Sequence, residues 1–155
     1  GLLGSLFSQH YFDVENPRVR LLNIGEEEQK GNLLTQAAYA LMKEAKEYNF
    51  CGNIEANHLY DDITDVIVCD GFTGNVVLKQ VEAMYTISQK LKISNEFFDY
   101  FNYENHGGTA VLGVNAPIVI GHGASSAKAI KNMVIQTEKL VSSKLTEKIK
   151  SAFKQ

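Results

Sequence analysis

Three short segments of the sequence combine glycine with a side chain suited to phosphate or carbonyl chemistry. They are GEEEQKGN, which contains Lys30, DGFTGN, which contains Asn75, and GHGASS, which contains His122. A lysine supplies a compact positive charge, an asparagine supplies a hydrogen-bond donor and an acceptor, and a histidine exchanges protons near neutral pH. Together these residue types indicate a site that holds an anion and stabilises a developing oxyanion.

Each segment also has a purely structural interpretation, and the pattern alone leaves both open. The first is compatible with a solvated charge cluster before a helix, and the second with a tight strand–turn–helix connection. The third is compatible with a loop histidine followed by a serine helix cap, Ser125 or Ser126. The spacing matches neither a P-loop nor a dinucleotide fingerprint, which disfavours an NAD-dependent dehydrogenase, and without GxSxG a hydrolase triad has little support.

Short β-branched runs alternate with longer helical patterns along the chain. The pattern predicts helices over 2–12, 33–48, 74–91 and 125–153, and strands over 18–24, 50–55, 65–69, 110–113 and 117–121. Residues 94–105 form an irregular aromatic segment. In the last helix, an apolar stripe is expected to face a core or a partner: Ile130, Met133, Val134, Val141, Leu145 and Ile149.

This alternation predicts an α/β fold with a largely parallel sheet covered by helices. In such folds, ligands bind beyond the carboxyl ends of the strands. Each of the three glycine-rich segments follows a predicted strand. We therefore expect the three loops to meet at one edge of one sheet.

Composition sets the broad class of the protein. The chain has 155 residues, of which 45% are apolar and 21% charged, and a formal net charge of -3. These values predict one globular domain over 1–155 and argue against nucleic-acid binding. Cys51 and Cys69 fall in predicted strands, and two buried thiols fit a reducing, cytoplasmic setting. We see no zinc-type spacing and no apolar run of about 18 residues.

Three longer motifs carry a family resemblance. LLNIGEEEQKGN, VCDGFTGNVVLK and LGVNAPIVIGHGASSAKAIKN resemble, in the same order and with similar separations, the bacterial phosphate acyltransferase family PlsX. The similarity runs from about Gly4 to the end of the final helix.

The resemblance implies a fold like that of isopropylmalate dehydrogenase and phosphotransacetylase, a three-layer α/β sandwich. It also implies the reaction of acyl-acyl carrier protein with inorganic phosphate, which gives acyl phosphate for phospholipid synthesis. The resemblance further implies a homodimer that can associate peripherally with the membrane. No metal and no nucleotide cofactor is implied.

Residue roles follow from the resemblance motif by motif. Lys30 would provide charge, Asn75 would hydrogen-bond the reacting oxygens, and His122 would assist departure of the thiolate or bind phosphate. The implied substrate- and phosphate-binding residues are Gly25, Glu27, Gly31, Asn32, Asp70, Gly71, Gly74, Gly121, Gly123 and Ser125.

The resemblance covers about the carboxyl-terminal half of the family, and its DAMGGD-type motif is missing from this sequence. Because the chain begins at Gly1 rather than at a methionine, we expect a partial domain from a longer enzyme. Two alternatives stay open. One is a phosphotransacetylase-like acyltransferase that uses acyl-coenzyme A, and the other is a truncated, non-catalytic module for dimerisation or carrier-protein binding.

Overall fold

A computed structural model of the protein describes residues 1–154, which fold into two compact units. The first unit contains residues 1–69 and 147–154. The second unit contains residues 70–146.

Helices and strands alternate in the amino-terminal part of the chain, as the sequence pattern predicts, whereas consecutive helices and a strand pair follow farther along. The helices are α1 (Leu2–Tyr11), α2 (Leu33–Glu44), α3 (Gly71–Lys90), α4 (Glu96–Asp99), α5 (Tyr103–His106), α6 (Ala127–Ser142) and α7 (Leu145–Ala152). The strands are β1 (Arg18–Leu22), β2 (Asn49–Ile54), β3 (Val66–Val68), β4 (Thr109–Val111) and β5 (Ile118–Ile120). A short 3-10 turn, Ala56–His58, lies between β2 and β3.

The first unit contains a three-stranded parallel sheet in the order β2-β1-β3. Parallel neighbours need a crossover connection, and α2 supplies it between β1 and β2. Helix α1 packs against β3, where Gly4 permits a close approach, since a Cβ at that position would lie 2.6 Å from Cγ1 of Val66. This parallel sheet flanked by helices confirms the predicted α/β class and fits part of a three-layer domain.

The core of this unit is centred on β1. Val19 and Leu21 are almost fully buried and pack with Met42 of α2. Half-buried side chains surround them: Ala38, Tyr39, Tyr48, Phe50, Val66 and Val68. A strand with neighbours on both sides buries its alternate side chains most completely, which explains why β1 holds the centre of the core.

Helix boundaries depart from the predictions at two places. Helix α2 ends at Glu44 rather than at residue 48, because Ala45 adopts an extended backbone (ψ 131). Helix α3 begins at Gly71, three residues before the predicted start, because Asp70 acts as its N-cap. The segment around Gly71 and Gly74 is therefore the first turn of a helix and not a loop.

In the second unit, β4 and β5 form a separate two-stranded antiparallel sheet. Thr109 pairs with Ile120 and Val111 with Ile118. Residues 112–117 are the whole connection between β4 and β5, and two strands joined by so short a segment pair with each other in a hairpin. The prediction that all three glycine-rich segments follow strands of one sheet was therefore wrong for the third segment.

The predicted helix over 125–153 is two helices. Lys144 has a φ of 54°, which a right-handed helix cannot contain, and this residue separates α6 from α7. Hydroxyls of Ser142 and Ser143 donate to carbonyls of the last turn of α6. Along α6 the buried side chains are Ala129, Gln136 and Leu140, whereas three members of the predicted stripe are more than half exposed: Ile130, Val134 and Val141.

The two cysteines are less buried than predicted. Cys51 lies in β2 and is half-buried, and Cys69 follows β3 and is exposed. Strand β3 ends at Val68, one residue before the thiol, which is why Cys69 is not shielded by the sheet. Within residues 1–154, every helix is too short or too polar to cross a membrane.

The core of the first unit gives a direct test of stability. We expect Leu21→Ala to reduce the free energy of unfolding by about 2–5 kcal/mol, because the buried strand loses contacts that its neighbours cannot fully replace. The measurement is chemical denaturation followed by circular dichroism. Ile24→Ala is the matched control, since Ile24 is 80% exposed, and its effect should stay within about 0.5 kcal/mol. Equal effects of the two variants would contradict this description of the core.

Candidate active site

Two buried asparagines hold the loop that carries Lys30. Asn23 and Asn53 are 8% and 1% exposed, and Nδ2 of Asn23 lies 3.2 Å from Oδ1 of Asn53. Asn23 also donates to the carbonyl of Lys30 (3.0 Å) and accepts from the N–H of Ile24 (2.9 Å). Asn53 donates to the carbonyl of Glu27 (2.9 Å). Buried amides are costly unless their donors and acceptors are paired, so this network fixes the loop from beneath.

Lys30 makes a long ion pair with a glutamate of its own loop. Its Nζ lies 3.8 Å from Oε2 of Glu27, and both side chains are roughly half exposed. Glu28 instead pairs with Lys43 of α2 at 2.8 Å. An exposed pair at the longer distance contributes little, so the ammonium of Lys30 remains available to an anion.

Two glycines permit the path of this loop. A Cβ on Gly25 would lie 2.7 Å from Cγ of Lys30, so this glycine allows the lysine side chain to lie against the backbone. Gly31 has a φ of +90°, and a Cβ there would lie 2.3 Å from Oδ1 of Asn23. Gly31 is therefore required both by its backbone conformation and by the buried amide beside it.

Asn32 has a structural role in this chain. Its Oδ1 accepts from the N–H of Thr35 at 3.0 Å, which makes it the N-cap of α2, and the hydroxyl of Thr35 donates to the carbonyl of Asn32. The amide nitrogen of Gln36 donates to the carbonyls of Gln29 and Gly31. The substrate contact of Asn32 stays a prediction, and its side-chain oxygen already has a partner within the chain.

The start of α3 carries its own carboxylate. Oδ1 of Asp70 accepts from the N–H of Thr73 (2.9 Å), and Oδ2 accepts from the Thr73 hydroxyl (2.6 Å). These bonds, the hydroxyl bond first, hold the pKa of Asp70 below its ordinary value. The N–H of Gly74 donates to the carbonyl of Asp70 at 2.9 Å, an ordinary helical bond. The backbone donors at this helix N-terminus are thus partly used within the chain.

Asn75 lies on α3 and is exposed. It is one turn before Leu78 and two turns before Glu82, so the three residues share one face of the helix. A Cβ on Gly71, at the first position of α3, would meet no described atom within 4 Å. Neighbouring side chains therefore do not require glycine at position 71.

The third segment forms a compact turn around His122. The N–H of Ala124 donates to Nδ1 of His122 (3.2 Å), and the hydroxyl of Ser125 donates to the His122 carbonyl (2.6 Å). Because Nδ1 accepts, the neutral ring carries its proton on Nε2. The ring of Tyr103 lies 5.1 Å from that of His122, and the Tyr103 hydroxyl donates to the carbonyl of Ala124.

The glycines and the serines of this turn have different surroundings. A Cβ on Gly121 would lie 2.9 Å from the sulfur of Met133, whereas one on Gly123 would meet no described atom within 4 Å. Ser126, not Ser125, is the N-cap of α6 and accepts from the N–H of Ala129. Ser125 is therefore the serine of the turn itself.

The predicted residues fall in both units. Lys30 and its loop belong to the first unit, and Asn75 and His122 belong to the second. Among residues 1–154, no group of three or more histidine, cysteine, aspartate or glutamate side chains could hold a metal ion.

Sequence reasoning missed Asn23 and Asn53. A signal was present, because the dipeptide Asn-Ile directly follows β1, within LLNIG, and closes β2, within CGNIE. A polar amide at the matching end of two apolar parallel strands indicates a buried cross-strand pair. The signal needs the strand pairing to be known, and the sequence alone does not contain it.

The amide network can be tested at the backbone that it holds. We expect Asn23→Leu to accelerate amide hydrogen exchange at Ile24, because the acceptor of this N–H is removed, and to reduce the free energy of unfolding by about 1–3 kcal/mol. Asn16→Leu is the control, since Asn16 is exposed in the same unit. Unchanged exchange at Ile24 would show that the network does not fix the loop.

The cap of α3 predicts a pH dependence. Since the pKa of Asp70 is lowered from 3.8 in the folded protein, its contribution to stability is present above pH 3.8 and is lost as the pH falls through the folded pKa. We expect Thr73→Val to raise the pKa of Asp70 toward 3.8, because the hydroxyl donor is removed. The measurement is NMR titration of the Asp70 carboxyl carbon. The same midpoint in both proteins would show that the Thr73 hydroxyl does not lower this pKa.

Comparison with known proteins places the chain in a family. A family model described as "Fatty acid synthesis protein" matches residues 1–93. A phosphate acyltransferase from Listeria innocua is 40% identical over 170 residues, which cover 97% of this chain and 50% of that protein. A phosphate acyltransferase from Bacillus subtilis is 36% identical over 173 residues, covering 99% of this chain and 52% of the relative.

A third relative, the phosphate acyltransferase of Dictyoglomus turgidum, is 38% identical over 96% of this chain and 50% of its own length. The chain thus spans about half the length of the curated relatives it matches. The resemblance of the three motifs to the PlsX family is confirmed by these matches. On the family model and on these relatives together, the chain belongs to the fatty acid synthesis protein family, which includes the bacterial phosphate acyltransferases.

Proposed function

We propose that this chain is part of an acyltransferase that converts acyl-acyl carrier protein and inorganic phosphate into acyl phosphate and free carrier protein, for fatty acid and phospholipid synthesis. The observation that carries the proposal is the identity of 36–40% to proteins named phosphate acyltransferase over nearly the whole chain. Lys30, Asn75 and His122 are the groups to which we assign this chemistry.

The reaction makes one bond and breaks one. A phosphate oxygen attacks the thioester carbonyl carbon, and the new C–O bond gives a tetrahedral intermediate with a negative oxygen. Collapse of the intermediate breaks the C–S bond, and the proton that hydrogen phosphate loses on forming acyl phosphate ends on the departing thiolate. The protein must therefore position two reactants, supply donors to the oxyanion and neutralise phosphate charge.

Lys30 would provide the positive charge that neutralises phosphate. The buried amides of Asn23 and Asn53 fix its loop, and Gly25 leaves room for the lysine side chain against the backbone. A charged group held in place costs no reorganisation when the reaction occurs, which is the condition for electrostatic catalysis. Asp70 already places a carboxylate at the start of α3. We therefore assign the binding of the negative phosphate to the ammonium of Lys30 and not to that helix N-terminus.

Asn75 would hydrogen-bond the reacting oxygens, since its exposed amide offers donors on the face of α3 that also carries Leu78. His122 would assist departure of the thiolate by donating a hydrogen bond from Nε2, the ring nitrogen that does not accept from the N–H of Ala124. Gly121 and Gly123 would let the backbone of the turn approach the substrate. A homodimer with peripheral membrane association in the cytoplasm completes the proposal.

The choice of thioester donor tests the proposed function. We expect acyl phosphate from phosphate and hexadecanoyl-acyl carrier protein, measured by trapping the product with hydroxylamine. Hexadecanoyl-coenzyme A is the comparison donor. Higher turnover with coenzyme A would replace the proposal by a phosphotransacetylase-like activity, and no product from either donor would overturn it.

Variants test the residue roles in the same assay. We expect Lys30→Ala and Asn75→Ala each to reduce turnover on the order of 100-fold, because each removes a group that acts on the transition state. The matched controls are Lys46→Ala and Gln89→Ala, which remove an exposed ammonium and an exposed amide from the same two units. Undiminished turnover in either test variant would remove the role of that residue.

A further inference from the structure

The second unit contains a cavity whose apolar wall has no role in the reaction steps assigned above. It encloses about 520 Å³ and is bounded by α3, by the segment from Tyr100 to Thr109, and by the end of β5 with the turn after it. Cavities that bind small molecules enclose about 300–1,000 Å³, so the size fits a ligand rather than a packing defect.

The walls of the cavity are mainly apolar. Leu78 and Val81 contribute from α3, Tyr100 and Phe101 from the aromatic segment, and Ile120 from β5. The aromatic rings are held in place by one another, since the rings of Tyr100 and Phe101 lie 6.1 Å apart in an edge-to-face arrangement. These walls favour an apolar ligand.

Three polar side chains of the wall have partners within the protein. Glu82 pairs with Lys79 at 2.8 Å, and the Tyr103 hydroxyl donates to the carbonyl of Ala124. Nε2 of His106 bonds with the carbonyl of Tyr100. Among the described residues of the wall there is no lysine or arginine. An anionic group would therefore find no compensating charge inside the cavity and would be costly to bury there, whereas a hydrocarbon needs no such charge.

The cavity adjoins two of the proposed catalytic residues. Gly121 and His122 belong to its wall. Asn75 precedes Leu78 by one turn on the same face of α3, which corresponds to about 4.5 Å along the helix axis. A ligand whose chain fills the cavity can thus present a functional group to this part of the site.

We propose that this cavity binds the acyl chain of the thioester substrate and thereby selects chain length. The choice of an acyl thioester as the ligand rests on the proposed function. Leu78, Val81 and Phe101 contact the hydrocarbon, and the carbonyl carbon lies toward Asn75 and His122. Burial of each further methylene raises affinity by roughly fourfold until the cavity is filled.

Direct binding tests the cavity without turnover. The probes are the dodecanoyl and butyryl thioesters of N-acetylcysteamine, both neutral, titrated into the intact protein by calorimetry in phosphate-free buffer. We expect Leu78→Trp, which fills the cavity, to weaken dodecanoyl binding on the order of tenfold and butyryl binding by less than about twofold. Ile87→Trp is the matched control, because Ile87 lies on α3 with similar exposure but outside the cavity wall.

A second variant protects the test against misfolding. Ile120→Trp enters the cavity from β5 and should repeat the selective loss, and the thermal unfolding midpoint of each variant verifies its fold. Dodecanoyl binding equal to that of the unmodified protein in both variants would overturn the inference. Equal losses for dodecanoyl and butyryl thioesters would also overturn it, since chain length would then not matter.

Turnover separates this inference from the proposed function. If Leu78→Trp lowers acyl phosphate formation from long-chain donors alone, the result supports both the acyl-binding cavity and the proposed function. Acyl phosphate formation that responds identically to Leu78→Trp and Ile87→Trp overturns the inference and leaves the function intact. Selective binding of the dodecanoyl probe by a protein that forms no acyl phosphate from any donor removes the proposed function and supports the cavity as an acyl-binding site.

Discussion

Parallel pairing of β1 with the strands on both sides is the constraint from which the first unit is built. Leu21 of β1 stands opposite Asn53 of β2 and Val68 of β3, so the three strands end at a common edge. The same register places Asn23 beside Ile54, whose carbonyl accepts its N–H at 2.9 Å. The core and the support of the Lys30 loop thus follow from one set of strand pairs.

The two units support their candidate residues in different ways. In the first, buried amides hold a loop whose lysine is half exposed, so rigidity comes from hydrogen bonds that water cannot reach. In the second, Asn75 stands on a regular helix and His122 in a turn closed by Ser125. Residues on rigid elements keep their geometry without a bound ligand, which is what preorganised chemistry needs.

Much of the fold and part of the candidate site could be predicted from the sequence, and the exceptions have physical causes. The parallel sheet followed from the alternation of apolar strands and helices, and the three motifs identified the family. The start of α3 was misplaced because Asp70 caps it, and a cap depends on one side-chain bond that periodicity does not record. The prediction that the three loops meet at one sheet edge failed because β4 and β5 pair with each other in a hairpin, which supplies their backbone hydrogen bonds locally. Asn23 and Asn53 were missed because their function exists only once β1 and β2 are paired.

The asparagine pair also makes the loop that carries Lys30 sensitive to deamidation. Asparagine is among the residues most easily damaged by heat, and deamidation turns its amide into a carboxylate. At Asn23 or Asn53 this change would replace an N–H donor by a negative oxygen facing a backbone carbonyl. The loop would keep Lys30 but would lose a hydrogen bond that holds its backbone. Deamidation at either position would therefore weaken the support of the candidate loop while leaving the apolar core side chains unaltered.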